Sequence, residues 1–136
     1  PRTGGDMTVD YVLLRAEQPI DSGLVLTPDP RGAPQTGERV SLFSGLGDGH
    51  SGRRILEGTV QSVDDTAAWV LMDQWFNPGL MSGSPLLSQH TGQVVGMAIA
   101  VTPRRHRLLL GVHPIGSIVQ LAGSATGFPK LSEYRR

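Results

Sequence analysis

The sequence contains no cysteine. Disulfides, cysteine-ligated zinc sites and thiol nucleophiles are therefore excluded together. Cytosolic and secreted chains alike can lack the residue, so this absence selects no compartment and localisation stays open. A surplus of charge is missing too: 12 Lys plus Arg face 12 Asp plus Glu. With no net field, bulk electrostatics favour neither a nucleic acid nor an anionic membrane surface as partner. Long apolar runs are absent. The longest, such as Val94 to Val101, fall far short of the roughly 20 residues a helix needs to cross a bilayer, and no basic stretch followed by an apolar one marks a leader at the start. An initiator methionine is lacking as well: the chain opens Pro1-Arg2-Thr3-Gly4-Gly5, which suggests a processed or excised piece.

Glycine and proline are abundant, 18 and 10 residues. They fall between short apolar segments without a fixed period, which is the pattern of an all-β chain. The expected strands are Tyr11 to Arg15, Gly23 to Leu26, Arg39 to Ser44, Arg54 to Ser62, Ala67 to Met72, Pro85 to Ser88, Val94 to Val101 and Leu108 to His113. Turn residues bound them, for example Pro28-Asp29-Pro30-Arg31-Gly32 and Thr91-Gly92. Val94 to Val101 is apolar on both faces, as a central strand is, and Gly96, Ala98 and Ala100 leave room beside its backbone for tight packing or a cleft wall. One helix is expected, where Ile115, Ile118, Val119 and Ala122 recur at helical spacing between Pro114 and Gly123. A surface-bound or disordered tail is expected from Ser124 onward. Internal repeats are absent.

The segment with chemical content is Asn77-Pro78-Gly79-Leu80-Met81-Ser82-Gly83-Ser84-Pro85-Leu86-Leu87, followed after a turn by Val94-Val95-Gly96-Met97. A serine acting as nucleophile must be presented on a tight turn, with backbone N–H groups aimed where a carbonyl oxygen becomes an oxyanion. Glycine after the serine permits that turn.

Ser82-Gly83-Ser84-Pro85-Leu86 and Val94-Val95-Gly96 resemble the nucleophile loop and following strand of chymotrypsin-fold, trypsin-like serine proteases. Asp10-Tyr11-Val12-Leu13-Leu14 is similar to the strand that carries the triad aspartate in the bacterial high-temperature-requirement-like group. Gln35-Thr36-Gly37-Glu38-Arg39-Val40 and Gly58-Thr59-Val60 are similar to that group's next strands. Gly111-Val112-His113 with the terminal helix resembles the end of the fold. The resemblance covers most of the chain and implies an antiparallel six-stranded β-barrel with a short C-terminal helix, the second barrel of a double-barrel protease. Residues 1–26 would then be the end of the first barrel and a linker, 27–122 the barrel with its nucleophile loop and helix, and 123–136 a tail.

The same resemblance implies a serine endopeptidase in which Ser82 attacks and Asp10 orients a general-base histidine. That histidine should precede Asp10, whereas the four present are His50, His90, His106 and His113. As it stands the chain is therefore expected to be inactive, and the expected partners are a peptide or protein substrate and an N-terminal segment or companion chain that completes the first barrel. A catalytically silent module that holds an extended peptide by strand addition is the alternative. Oxyanion donors are expected from Ser82 itself and from Leu80 or Gly79. The family places glycine two residues before the nucleophile, where this chain has Leu80, so either Gly79 takes that part or the hole is distorted. Phe76, Ala98, Ile99, Ala100 and His113 are the candidates for the pocket that receives the residue before the scissile bond, with plain barrel core as the competing reading. No metal or cofactor is expected. His50 lies in a Gly-rich loop without a second ligand at metal spacing. Arg104-Arg105-His106-Arg107 reads as the tip of a hairpin and not as a nucleic-acid patch. Trp69, Trp75 and Phe76 read as core and not as a stacking platform.

Overall fold

The computed structural model describes residues 16, 18, 20, 21, 25–44, 54–76 and 81–124. Six strands and one helix make up the described chain: β1 (Arg39–Ser44), β2 (Arg54–Val63), β3 (Ala68–Met72), β4 (Pro85–Ser88), β5 (Val94–Arg104), β6 (Arg107–Pro114) and α1 (Ile115–Ser124). The strands close into a barrel in the order β1-β2-β3-β6-β5-β4, with every neighbouring pair antiparallel. Closure is made by β4 against β1, where Leu42 faces Leu86 and Val40 faces Ser88. A closed barrel leaves no free sheet edge over its paired length.

Alternation explains the packing. Val40 and Leu42 on β1, Val60 on β2, Val70 and Met72 on β3, and Leu108, Leu110 and Val112 on β6 are all at most 1% exposed. Their neighbours on β1 and β3 are less buried, so one face of those strands builds the interior, whereas β6 is buried on both faces from Leu108 to Pro114. Full burial of each Leu or Val contributes about 1.5–3 kcal/mol from area alone. At Gly96 the sheet closes tightest: an added Cβ would stand 2.2 Å from Val112 Cγ1 and 2.7 Å from the His113 carbonyl oxygen. The gap in that apolar strand is therefore a close approach of β5 to β6.

Arg39–Ser44 and Pro85–Ser88 match the sequence reading at both ends. β5 runs further than expected, through Thr102, Pro103 and Arg104, and β6 begins at Arg107, so the hairpin turns on Arg105 and His106. Arg105 carries a positive φ of 56°. The helix likewise continues past its expected stop, through Gly123 and Ser124. The strand expected at Gly23 to Leu26 is not seen in its described part. Val25 and Leu26 are exposed, irregular backbone, and pairing starts only afterwards, where Val94 N–H donates to the Thr27 carbonyl at 2.9 Å and Asp29 N–H to the Val94 carbonyl at 2.8 Å. Trp75, expected in the core, is 56% exposed, because it lies in the irregular segment after β3 and not on an inward strand position. Phe76 next to it is buried, and Trp69 is half-buried. The strand expected at Tyr11 to Arg15, the His50 loop and the tail from residue 125 lie outside the described residues.

Candidate active site

Met81 to Ser84 form one tight turn. Ser84 N–H donates to the Met81 carbonyl at 3.0 Å, and Gly83 holds φ +89°. This is the third position of a type II turn, which needs a left-handed residue. Met81 is buried with Phe76 in the barrel core and anchors one end, whereas Ser82 and Gly83 are exposed. Two bonds strap the turn to β5: Gly83 N–H to the Ala98 carbonyl at 2.7 Å, and Ala98 N–H to the Ser84 carbonyl at 2.9 Å. Ser82 thus rides the corner of a rigid turn with its side chain outside the packed interior.

β5 passes directly beside that turn. Its pairing with β4 ends at Met97 opposite Pro85, and the two turn bonds use up Ala98. From Ala100 to Arg104 the strand pairs with β6 on one side, and no described strand pairs it on the other. A register shift between Ala98 and Ala100 makes Ile99 a bulge opposite β6, which bends the strand and re-aims its backbone next to Ser82. Opposed residues of an antiparallel pair alternate between exchanging both hydrogen bonds and exchanging none. Counting back from the Arg104 and Arg107 pair that closes the hairpin, Val101 and Pro103 turn their backbone polar atoms away from β6. Proline has no N–H to lose there.

The other expected site residues divide by burial. Ala98 and His113 are 0% and 1% exposed and Phe76 is 4% exposed, while Ile99 and Ala100 are half-buried. His113 stands on β6 opposite Met97, which in turn faces Pro85. Ala98 is thereby joined directly to the Ser82 turn, and His113 lies one strand further over. Asp10, Leu80 and Gly79 lie outside the described residues. Among the other histidines, His90 sits in the turn beyond the far end of β4 and His106 at the tip of the β5–β6 hairpin.

An ionic network that sequence reasoning missed, a partly exposed arginine between two largely buried carboxylates, braces the barrel behind the site. The Arg31 guanidinium grips Asp29 through Nε at 3.1 and 3.2 Å and Nη2 at 2.9 Å, and it grips Glu38 through Nη1 at 3.1 Å and Nη2 at 2.9 Å. Thr91 Oγ1 donates to Asp29 at 2.8 Å, and the Ser88 hydroxyl donates to Glu38. The Arg31 hydrogen bond holds the Asp29 carboxyl far below the usual carboxylate range, outweighing burial. Burial pushes Glu38 up, but Arg31, Ser88 and the Gln35 N–H together hold it down at about 2. The network fastens the segment ahead of β1 to the β4–β5 turn, and so fixes the end of β4 remote from Ser82. The Pro28-Asp29-Pro30-Arg31-Gly32 turn was the signal in the sequence. Its partners Glu38, Ser88 and Thr91 come together only through closure of the barrel.

The model of one protein family, described as a trypsin-like peptidase domain, matches residues 2–97. No curated protein matches the chain.

Proposed function

Because the chain belongs to the trypsin-like peptidase domain family, we propose that it carries the nucleophile side of a serine endopeptidase, with Ser82 as the attacking residue. The observation behind this reading is the pairing of an exposed serine on a rigid type II turn with a stretch of β5 directly beside it whose outer side no described strand pairs. An extended peptide laid along that stretch gains main-chain hydrogen bonds, and its carbonyl comes to the serine.

Ser82 Oγ forms a bond to the scissile carbonyl carbon while its proton passes to an imidazole. The tetrahedral oxyanion is stabilised by the Ser82 N–H and a second donor from the Gly79-Leu80 segment. Collapse expels the amine, which takes the proton from the imidazolium, and leaves an ester on Ser82. Water, deprotonated by the same imidazole, then hydrolyses the ester and regenerates the hydroxyl. Asp10 orients the imidazole and balances its charge. In the family's chain order the histidine precedes the aspartate, and His50, His90, His106 and His113 all follow Asp10, so the imidazole is assigned to an N-terminal segment or companion chain that completes the first barrel. The Asp10-Tyr11-Val12-Leu13-Leu14 run supports a place in the high-temperature-requirement-like group. Ala98, Ile99 and Ala100, with Phe76 and His113 behind them, would form the wall of the pocket for the residue before the scissile bond.

Cleavage of unfolded protein by the full-length native protein tests the proposal. Ser82→Ala should lower kcat by roughly 10⁶-fold, and Asp10→Asn by about 10⁴-fold, because the wrong imidazole tautomer is held. Undiminished cleavage by Ser82→Ala would refute it. Tight peptide binding without any turnover by the wild type would make the chain a silent binding module instead.

A further inference from the structure

β5 runs on from the Ser82 turn into a cationic tip. Arg104, Arg105, His106 and Arg107 are consecutive and exposed, in a chain with no net charge. Among the described residues, none of the three arginines enters an ion pair. Arg107 acts on Asp73 only through its field, and Arg39 already holds that carboxylate at 2.6 Å. The tip borders a depression of about 460 Å³ lined by Gln61, Leu71 and these four basic residues. Arg105 sits at φ 56°, at the first central position of a two-residue hairpin turn, where chain geometry favours glycine. Arginine held at a costly backbone position points to use of its side chain.

The location gives that charge a task. Ser82 adjoins Ala98, and the side of β5 that no described strand pairs leads from there to Arg104, roughly 20 Å at ~3.3 Å per residue. A peptide that adds to this side in the antiparallel sense of every other strand pair in the barrel runs from the tip toward Ser82. The residues on the N-terminal side of its scissile bond therefore pass the arginines. Thr102 and Arg104 share the outward face with Leu109 and Arg107, their partners on β6. A peptide side chain directly opposite Arg104 stands about 5 Å away on that face, at the mouth of the depression.

We propose that the Arg104–Arg107 tip is a specificity subsite for acidic side chains carried by an extended peptide upstream of the bond to be cleaved. The inference rests on the serine endopeptidase reading only for where the scissile bond lies. Arg104 and Arg107 pair with the carboxylate across the strand, Arg105 caps it from the turn, and the Gln61 amide offers a neutral donor. Two or three exposed charge pairs of this kind give roughly a five- to tenfold preference, and that preference shrinks as salt screens it.

Fluorescence anisotropy on full-length Ser82→Ala protein tests this without any turnover. The probes are one labelled extended peptide with Asp and Glu in its upstream half, the same peptide with Asn and Gln there, and a third with the acids moved downstream. The first should bind five- to tenfold tighter than either other at low salt. The preference should fall to about one in Arg104→Ser/Arg105→Gly/Arg107→Ser protein, and be reduced in Arg105→Gly alone, which suits the turn and keeps the fold. Equal binding of the three peptides, a preference that survives the triple variant, or tighter binding of a single-stranded oligonucleotide of the same charge would overturn the proposal. Failure of wild-type protein to cleave any of the peptides would instead refute the hydrolase reading, leaving the binding comparison to decide the subsite.

Discussion

Replacing Arg31 with methionine removes a cation from between two carboxylates while keeping most of the side-chain volume. Asp29 and Glu38 side chains are only 1% and 9% exposed, and Arg31 is 30% exposed, so water cannot readily take over the lost contacts. Arg31 makes five guanidinium bonds to the pair between 2.9 and 3.2 Å. Breaking a buried pair by removing one partner costs about 3–5 kcal/mol, because the remaining charge is stranded. For a barrel of this size that is a fall in Tm of roughly 10–20 °C. The cost should depend on pH. Without Arg31, only Ser88 and the Gln35 N–H oppose burial at Glu38 and its pKa rises, so the variant recovers part of its deficit at mildly acidic pH, where protonation neutralises the stranded group. Urea unfolding of both proteins at pH 7 and pH 4 reads the two numbers. A difference below about 1 kcal/mol at pH 7, or one that does not narrow at pH 4, would refute the account of the network.

In the unaltered protein the sign is opposite. Glu38 and Asp29 both titrate lower folded than unfolded, so their contribution is complete above the unfolded value near 4.5. There it amounts to about 3 kcal/mol for Glu38 alone, and it is lost as pH falls toward the folded Glu38 value of about 2. Unfolding free energy measured from pH 6 to 2 should decline across that window and stay flat above it. Gly96→Ala should destabilise by about 1–3 kcal/mol, since its Cβ meets Val112 and the immovable His113 carbonyl; Val112→Ala in the same chain should return part of that loss, and strict additivity would contradict the contact. Gly83→Ala meets no atom within 4 Å, so its cost is the left-handed backbone alone, about 1–2 kcal/mol. Its larger effect should fall on reaction at Ser82, through the 2.7 Å bond to Ala98, and a loss of stability with reactivity intact would contradict the role of the turn.

What could be read from the sequence follows from how local each signal is. β1 and β4 are bracketed by turn residues and matched at both ends, and the Ser82 turn was legible because Gly83 supplies a conformation that few residues adopt. The extension of β5 was hidden by Pro103, a residue that argues against a strand. Proline is tolerated there because that position turns away from β6, a fact that depends on register. The ionic network was illegible for the same reason: Thr91 and Asp29 lie 62 positions apart and meet only once the barrel closes. Val25 and Leu26 misled in the other direction, since they are apolar yet exposed and irregular, with no strand paired to them among the described residues.

Full-length native protein treated with a fluorophosphonate, digested and sequenced by mass spectrometry bears most directly on Ser82 as nucleophile. One phosphonyl group on the peptide that contains Ser82, blocked by a competing peptide substrate and missing in Ser82→Ala, is the result expected. Labelling at another residue, or none at all while the full-length protein cleaves peptides, would contradict it.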